Sequence, residues 1–245
     1  VKGVPSIVVG RQSTGIGVLN LSGFNTSHNL RSTIEATDLF VGYEGRGSAL
    51  IDNGALVNVD VLTIARRIDT FGEMTVSNSS GQTAHRTTVT AMRAANSLMI
   101  GNGGAGVLNI LDGSLVSTVG ITNIGWSRTA NGRLNIVGQG SEFDSTNLVR
   151  IGDDGIAATN VLDGGKLTAR EISIANAATS RGTLNVAGQG SEVQTTDKIT
   201  IANSGIAEAN LVDGGILSAS EIAIADGLSS AGSLNIGGVG ESGGM

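Results

Sequence analysis

With 245 residues, a net charge of −6 and a pI near 4.9, the chain carries the wrong electrostatic sign for nucleic acid. It holds no Cys, which excludes disulfides, thiolate-bound zinc and thiol nucleophiles. Aromatics at 2% remove most platforms for stacking bases or sugars, yet a 40% hydrophobic share is enough to bury a continuous core.

Along the chain an apolar residue followed by Gly or Ala returns at Val9, Val41, Ile64, Ile100, Ile124, Ile151, Ile174, Ile201 and Ile224. Each of these anchors leads through a polar turn to a short strand with Asn between apolar residues. Asn109, Asn160 and Asn210 follow their anchors by nine residues; Asn20, Asn135, Asn185 and Asn235 follow by eleven. Leu50 and Thr75 take the equivalent places after Val41 and Ile64. Most anchors lie 23 to 27 residues apart, but two early intervals stretch to 32 and 36, placing insertions near Asn25–Asp38 and Ser77–Asn96.

The two strand types alternate, so the larger unit is fifty residues. Gly132-Arg-Leu-Asn-Ile-Val-Gly-Gln-Gly-Ser-Glu142 returns fifty residues later as Gly182-Thr-Leu-Asn-Val-Ala-Gly-Gln-Gly-Ser-Glu192, and more loosely from Gly232. A fixed period of this size marks a solenoid, in which each unit buries its apolar edge against its neighbours. Leu134-Asn135-Ile136, Ile172-Ser173-Ile174 and Ile199-Thr200-Ile201 alternate with the period of a strand having one buried face. Further short strands follow the Asp-Gly turns at Leu115, Lys166 and Ile216. The 38 Gly oppose helix, where each costs about 1 kcal/mol relative to Ala, and suit tight turns.

The pattern therefore predicts an all-β fold: a right-handed parallel β-helix (β-solenoid) of nine to ten coils of 23–27 residues with two longer loops. Nine coils at about 4.8 Å make a rod of about 45 Å. Asn20, Asn109, Asn135, Asn160, Asn185, Asn210 and Asn235 are expected to stack into amide columns on this rod. A propeller, with four strands per blade, fits the division into matching halves less well. Residues 1–245 read as one segment, irregular over 1–97 and regular over 98–240, with neither end resembling a cap; a longer parent array is expected.

The alternation of Ile-Gly-x-x-Gly-x-Gly-x-Leu-Asn-Ile (Ile100–Ile110) with Gly-x-Leu-Asn-Ile-x-Gly-x-Gly-Ser-Glu (Gly132–Glu142) resembles the repeat of type V secretion passenger domains and PEP-CTERM proteins. Phe143 supplies the aromatic that family carries after its Gly-Ser pair, a place Val193 takes in the next unit. The resemblance covers nearly the whole chain. It implies an autotransporter-like β-helix, extracellular or on a bacterial outer surface, with an adhesive or structural role.

Candidate chemistry is sparse. Asp112-Gly113, Asp163-Gly164 and Asp213-Gly214 recur once per fifty residues, too thinly to collect the six to eight oxygens calcium takes, and read as turns. Asp153-Asp154-Gly155 is denser but gives way to Asn102-Gly103 and Asn203-Ser204 in sister coils. Two sets could assemble the acid-base face of a polysaccharide-cleaving β-helix: Glu142, Asp144 and Arg150, or Asp163, Lys166 and Arg170. Scattered carboxylates in a repeat are more simply solvated turn residues, so no catalysis, cofactor or metal is expected.

The insertions are the main departures from regularity, and in solenoids such loops project from one face, often the binding face. They would bring His28, Arg31, His85, Arg86 and Arg93 to one corner, two coils apart. Trp126, the only Trp, aligns in its polar turn with Arg11, Arg66, Asn176 and Asp226. It either offers a contact or folds over a neighbouring turn. Formal charge is +1 over residues 1–131 and −7 over 132–245; this reads first as drift along a solvated surface, and alternatively as a weak bias for head-to-tail contact.

These features are expected of a rigid stalk or adhesin segment whose partner is a cell-surface protein or glycan. Alternatives are end-to-end self-association into a filament and a polysaccharide-active β-helix. Neither nucleic acid nor insertion of this segment into a membrane is expected.

Overall fold

The computed structural model describes residues 1–25, 28, 30–79 and 85–237. Residues 26, 27, 29 and 80–84 of the two insertions, and the Gly-rich 238–245, lie outside the described residues. Among those described, every regular element is a strand. The chain winds as a β-solenoid whose strands pair in parallel from coil to coil; the one antiparallel pair among the described residues is Phe24–Asn25 with Leu30–Arg31 in the first insertion.

Nine strands, from Ile16–Ser22 to Ala231–Ile236, form one face. They enclose about eight complete turns, somewhat fewer than the nine to ten expected, because nine anchors bound only eight intervals. At the usual interstrand spacing this face is about 38 Å long. Apart from the antiparallel pair, the remaining strands form a fifteen-stranded sheet that supplies the other sides. In the regular coils those sides are two four-residue strands, such as Leu115–Thr118 and Ile121–Ile124, divided at Gly120. In two early coils they fuse into nine-residue strands, Thr33–Val41 and Leu56–Ile64. Leu56–Ile64 accordingly pairs with both Thr88–Ala91 and Asn96–Ile100 of the next coil.

Each anchor turns the chain in the same way. The residue after it has positive φ at all nine anchors: Gly10, Gly42, Gly101, Gly125 and Gly152 at 67° to 78°, and Ala65, Ala175, Ala202 and Ala225 at 54° to 64°. Gly is the unstrained choice for this left-handed corner, and Ala is the smallest side chain that can occupy it. Asp112, Asp163 and Asp213 adopt φ of 52° to 53°, as turn residues should. Gly132 is needed for space rather than conformation, since a methyl there would collide with the backbone of Gly125 and Ile100.

Inward side chains form columns up the stack. Leu108 lies on Leu134, and buried Thr159 parts Leu134 from Leu184; beside them Ile110, Ile136, Val161 and Val186 follow one another, fully buried in one continuous core cluster. Phe143 is the only aromatic in that core. Outward between these columns runs the amide ladder. Asn135, Asn160, Asn185, Asn210 and Asn235 each donate Nδ2 to the Oδ1 of the preceding ladder Asn, at 2.7 to 2.9 Å, down to Asn109. Asn109 itself donates to Thr75 Oγ1 (3.3 Å) and Glu73 Oε1 (3.2 Å). Asn20 lies in the same register but is parted from the ladder by Leu50 and Thr75.

Truncating a middle rung strands a carbonyl on one side and an amide on the other. Asn160→Ala is expected to lower unfolding free energy by about 1–2 kcal/mol in urea titration, with Asn20→Ala near neutral as control. Equal effects at the two positions would refute a stabilising ladder.

Candidate contact surfaces

Both insertions leave the helix at one corner, directly after the strands Ile16–Ser22 and Phe71–Val76 of the nine-stranded face. They meet across the intervening coil. The Phe24 and His85 rings stack with centroids 3.6 Å apart. Gly54, at φ 81°, lies between them, with Phe24 Cβ and the His85 carbonyl each only 3.0 Å from where its Cβ would be. Asp52, 8% exposed, ties down the start of the second insertion by accepting from the Ser79 amide (3.0 Å) and hydroxyl (2.8 Å).

Two of the three insertion arginines turn onto backbone rather than outward. Arg31 donates to the carbonyls of Gly54 (2.6 Å), Ala55 (3.1 Å) and Arg86 (2.6 Å), and burial pulls its pKa below the usual guanidinium value. Arg86 donates to the carbonyls of Gly113 (2.7 Å), Ser114 (2.9 Å) and Gly140 (2.5 Å), and pairs with Glu142 at 2.8 Å. Its guanidinium therefore reaches turns of the next two coils. Backbone carbonyls at tight turns have few other donors, and a planar five-donor group can serve several at once. His28 stays exposed, with Nδ1 3.3 Å from Asn25 Oδ1; Arg93, also exposed, lies beyond the strand Thr88–Ala91 beside Gly120, at the next corner rather than with the other four.

A second surface was not singled out in the sequence. Of six aromatic residues only Phe143 is buried; Phe40, Tyr43, Phe71 and Trp126 all sit half-buried along the corner that follows the anchors. Phe40 and Tyr43 meet edge to face at 5.2 Å. Arg66 lies over both rings, 5.0 Å from Phe40 and 4.6 Å from Tyr43, and Arg67 is 5.7 Å from Tyr43. Arg46 covers Phe71 at 5.2 Å, and Arg67 pairs with Glu44 at 3.2 Å. Such cation–π contacts hold guanidinium groups close over the rings. A signal for this cluster existed, because Tyr43 and Arg66 each immediately follow an anchor pair. Trp126 is half-buried rather than exposed, and its amide donates to the Gly101 carbonyl at 3.0 Å.

The two sets weighed for polysaccharide cleavage are drawn into separate contacts. Glu142 pairs with Arg86, Asp144 accepts from Thr168 at 2.6 Å, and Arg150 pairs with Asp153 at 3.6 Å. Lys166 pairs with Glu192 at 3.2 Å, and Arg170 with Asp197 at 3.1 Å. Among the described residues, no group of three or more His, Asp or Glu could hold a metal ion. No family model matches the chain, and no curated protein or solved structure was found similar to it.

If Arg86 is the staple these bonds describe, removing its charge should cost more than removing an exposed one. Arg86→Met is expected to destabilise by about 2–3 kcal/mol, and Arg93→Met by less than about 0.5 kcal/mol. Urea midpoints at unchanged slope read the difference, and comparable midpoints for the two variants would rule the staple out.

Proposed function

We propose that this chain is a rigid, non-catalytic stalk or adhesin segment of an exported bacterial surface protein, of the autotransporter-passenger kind that its repeat resembles. The observation supporting this reading is the unbroken amide ladder from Asn109 to Asn235, laid over parallel backbone pairing. Stacking of this kind supplies length and stiffness without using the outer side chains, which are then free to vary. The separate pairing of the candidate acid-base residues supports a role in presentation rather than chemistry. An antibody raised against residues 98–237 should stain intact cells of the source organism. Staining that requires permeabilised cells would refute an exported location.

A second reading, end-to-end stacking, is favoured by the edge of the last described coil. There Ile222, Ile224 and Ile236 are 39%, 46% and 75% exposed. A further turn of the same repeat, from this polypeptide or another copy, would cover these side chains and pair the open backbone edge. In stacking between copies, mass climbs without limit as concentration rises; a mass that stays bounded excludes it.

A further inference from the structure

The corner that follows the anchors carries an ordered sequence of chemistries. Arg11, Tyr43, Arg66, Asn102, Trp126, Asp153, Asn176, Asn203 and Asp226 take equivalent places in successive coils. Backbone bonds keep the middle of this column in line: the Asn102 amide donates to Ala65, Trp126 to Gly101, and Asp153 to Gly125, at 3.0 to 3.1 Å. Four consecutive coils therefore present the basic pair Arg66-Arg67, then Asn102 beside Met99, then Trp126, then the acidic pair Asp153-Asp154. Asn102 Nδ2 lies 3.3 Å from Met99 Sδ. The basic and acidic pairs are three coil steps apart, about 14 Å.

A line that runs from positive through apolar to negative is complementary to itself once reversed. A two-fold axis perpendicular to the stack, between the coils of Asn102 and Trp126, sets Arg66-Arg67 of one copy against Asp153-Asp154 of another. The same operation sets the reverse pair in place and lays Trp126 on the second copy's Met99 and Asn102. We propose that this corner is a self-complementary interface through which two copies associate side by side and antiparallel.

The local chemistry supports that occupant. Arg66 is held over the Tyr43 and Phe40 rings, so its place is set before association. Arg67 lies beside the Tyr43 ring and pairs with Glu44 at a site where both charged side chains are well exposed. Asp153 is braced by Asn176 (2.8 Å) and Arg150 (3.6 Å), and Asp154 by Thr179 (2.6 Å). Each carboxylate has several lone pairs, so these bonds orient the acids while leaving acceptor capacity. Trp, Tyr and Arg are the side chains that most often dominate protein–protein contacts, and Met packs well on an aromatic ring. The contact is one corner wide and a few coils long, which makes it weak and electrostatic rather than obligate.

Charge reversal tests it. Sedimentation equilibrium should give a dimer in 50 mM salt whose dissociation constant rises at least about tenfold in 500 mM salt. R66E/R67E and D153R/D154R should each be monomeric, with β-sheet circular dichroism confirming the fold. Mixing the two variants should restore a dimer, since their patches are then opposite in charge. The proposal is overturned by a wild-type monomer in low salt, by variants that still dimerise, or by a mixture that stays monomeric. Masses growing past the dimer would assign association to the coil ends. A low-salt monomer that instead binds the anionic probe polygalacturonate would make the corner a glycan surface.

Discussion

Backbone hydrogen bonding from each coil to the next, in strict register, is the constraint on which everything else in this molecule rests. Nothing along a single coil is long enough to stand alone. The outer strands are mostly four residues, and the left-handed corners between faces offer no helix or hairpin to nucleate structure. Each coil is satisfied only when the coils on either side hold identical positions at the interstrand spacing. Register then becomes a sorting rule for side chains. Ile and Val fall on Ile and Val in the core, Asn on Asn outside it, and a residue such as Gly132 persists because a neighbouring coil's backbone occupies the space of a methyl.

The same rule explains why so much of the fold was legible from residues alone. The anchors, the Asn positions and the Asp-Gly turns carry one phase through the chain, and each has a direct physical meaning: a positive-φ corner, a ladder rung, a turn. The fused strands Thr33–Val41 and Leu56–Ile64 were not legible. Their polar residues look like the breaks that end strands in later coils, and only the neighbouring coils decide whether a corner forms there.

Side-chain direction was harder to read than position. Loops in a solenoid suggest outward-facing contacts, yet Arg31 and Arg86 turn back onto carbonyls, since a guanidinium is a ready donor for turn oxygens that no strand pairs. The aromatic corner is a different kind of omission. Phe40, Tyr43, Arg66 and Phe71 are scattered along the sequence, and no local motif joins them. They become one surface only when the nine-step and eleven-step coils are laid on a single column, so that residues following successive anchors are treated as neighbours.

Arg86 also changes how the rod would yield to force. Beyond the coils that Arg31 and Arg86 bridge, each coil is held by its two neighbours, so a pull peels one turn at a time, each release independent of the next. Where the guanidinium grips Gly113, Ser114, Gly140 and Glu142, adjoining turns share one fastening and cannot let go separately. The molecule thus has a mechanical landmark near its middle: a hard stop where gradual fraying gives way to a single larger rupture, softened by salt because part of the grip is ionic.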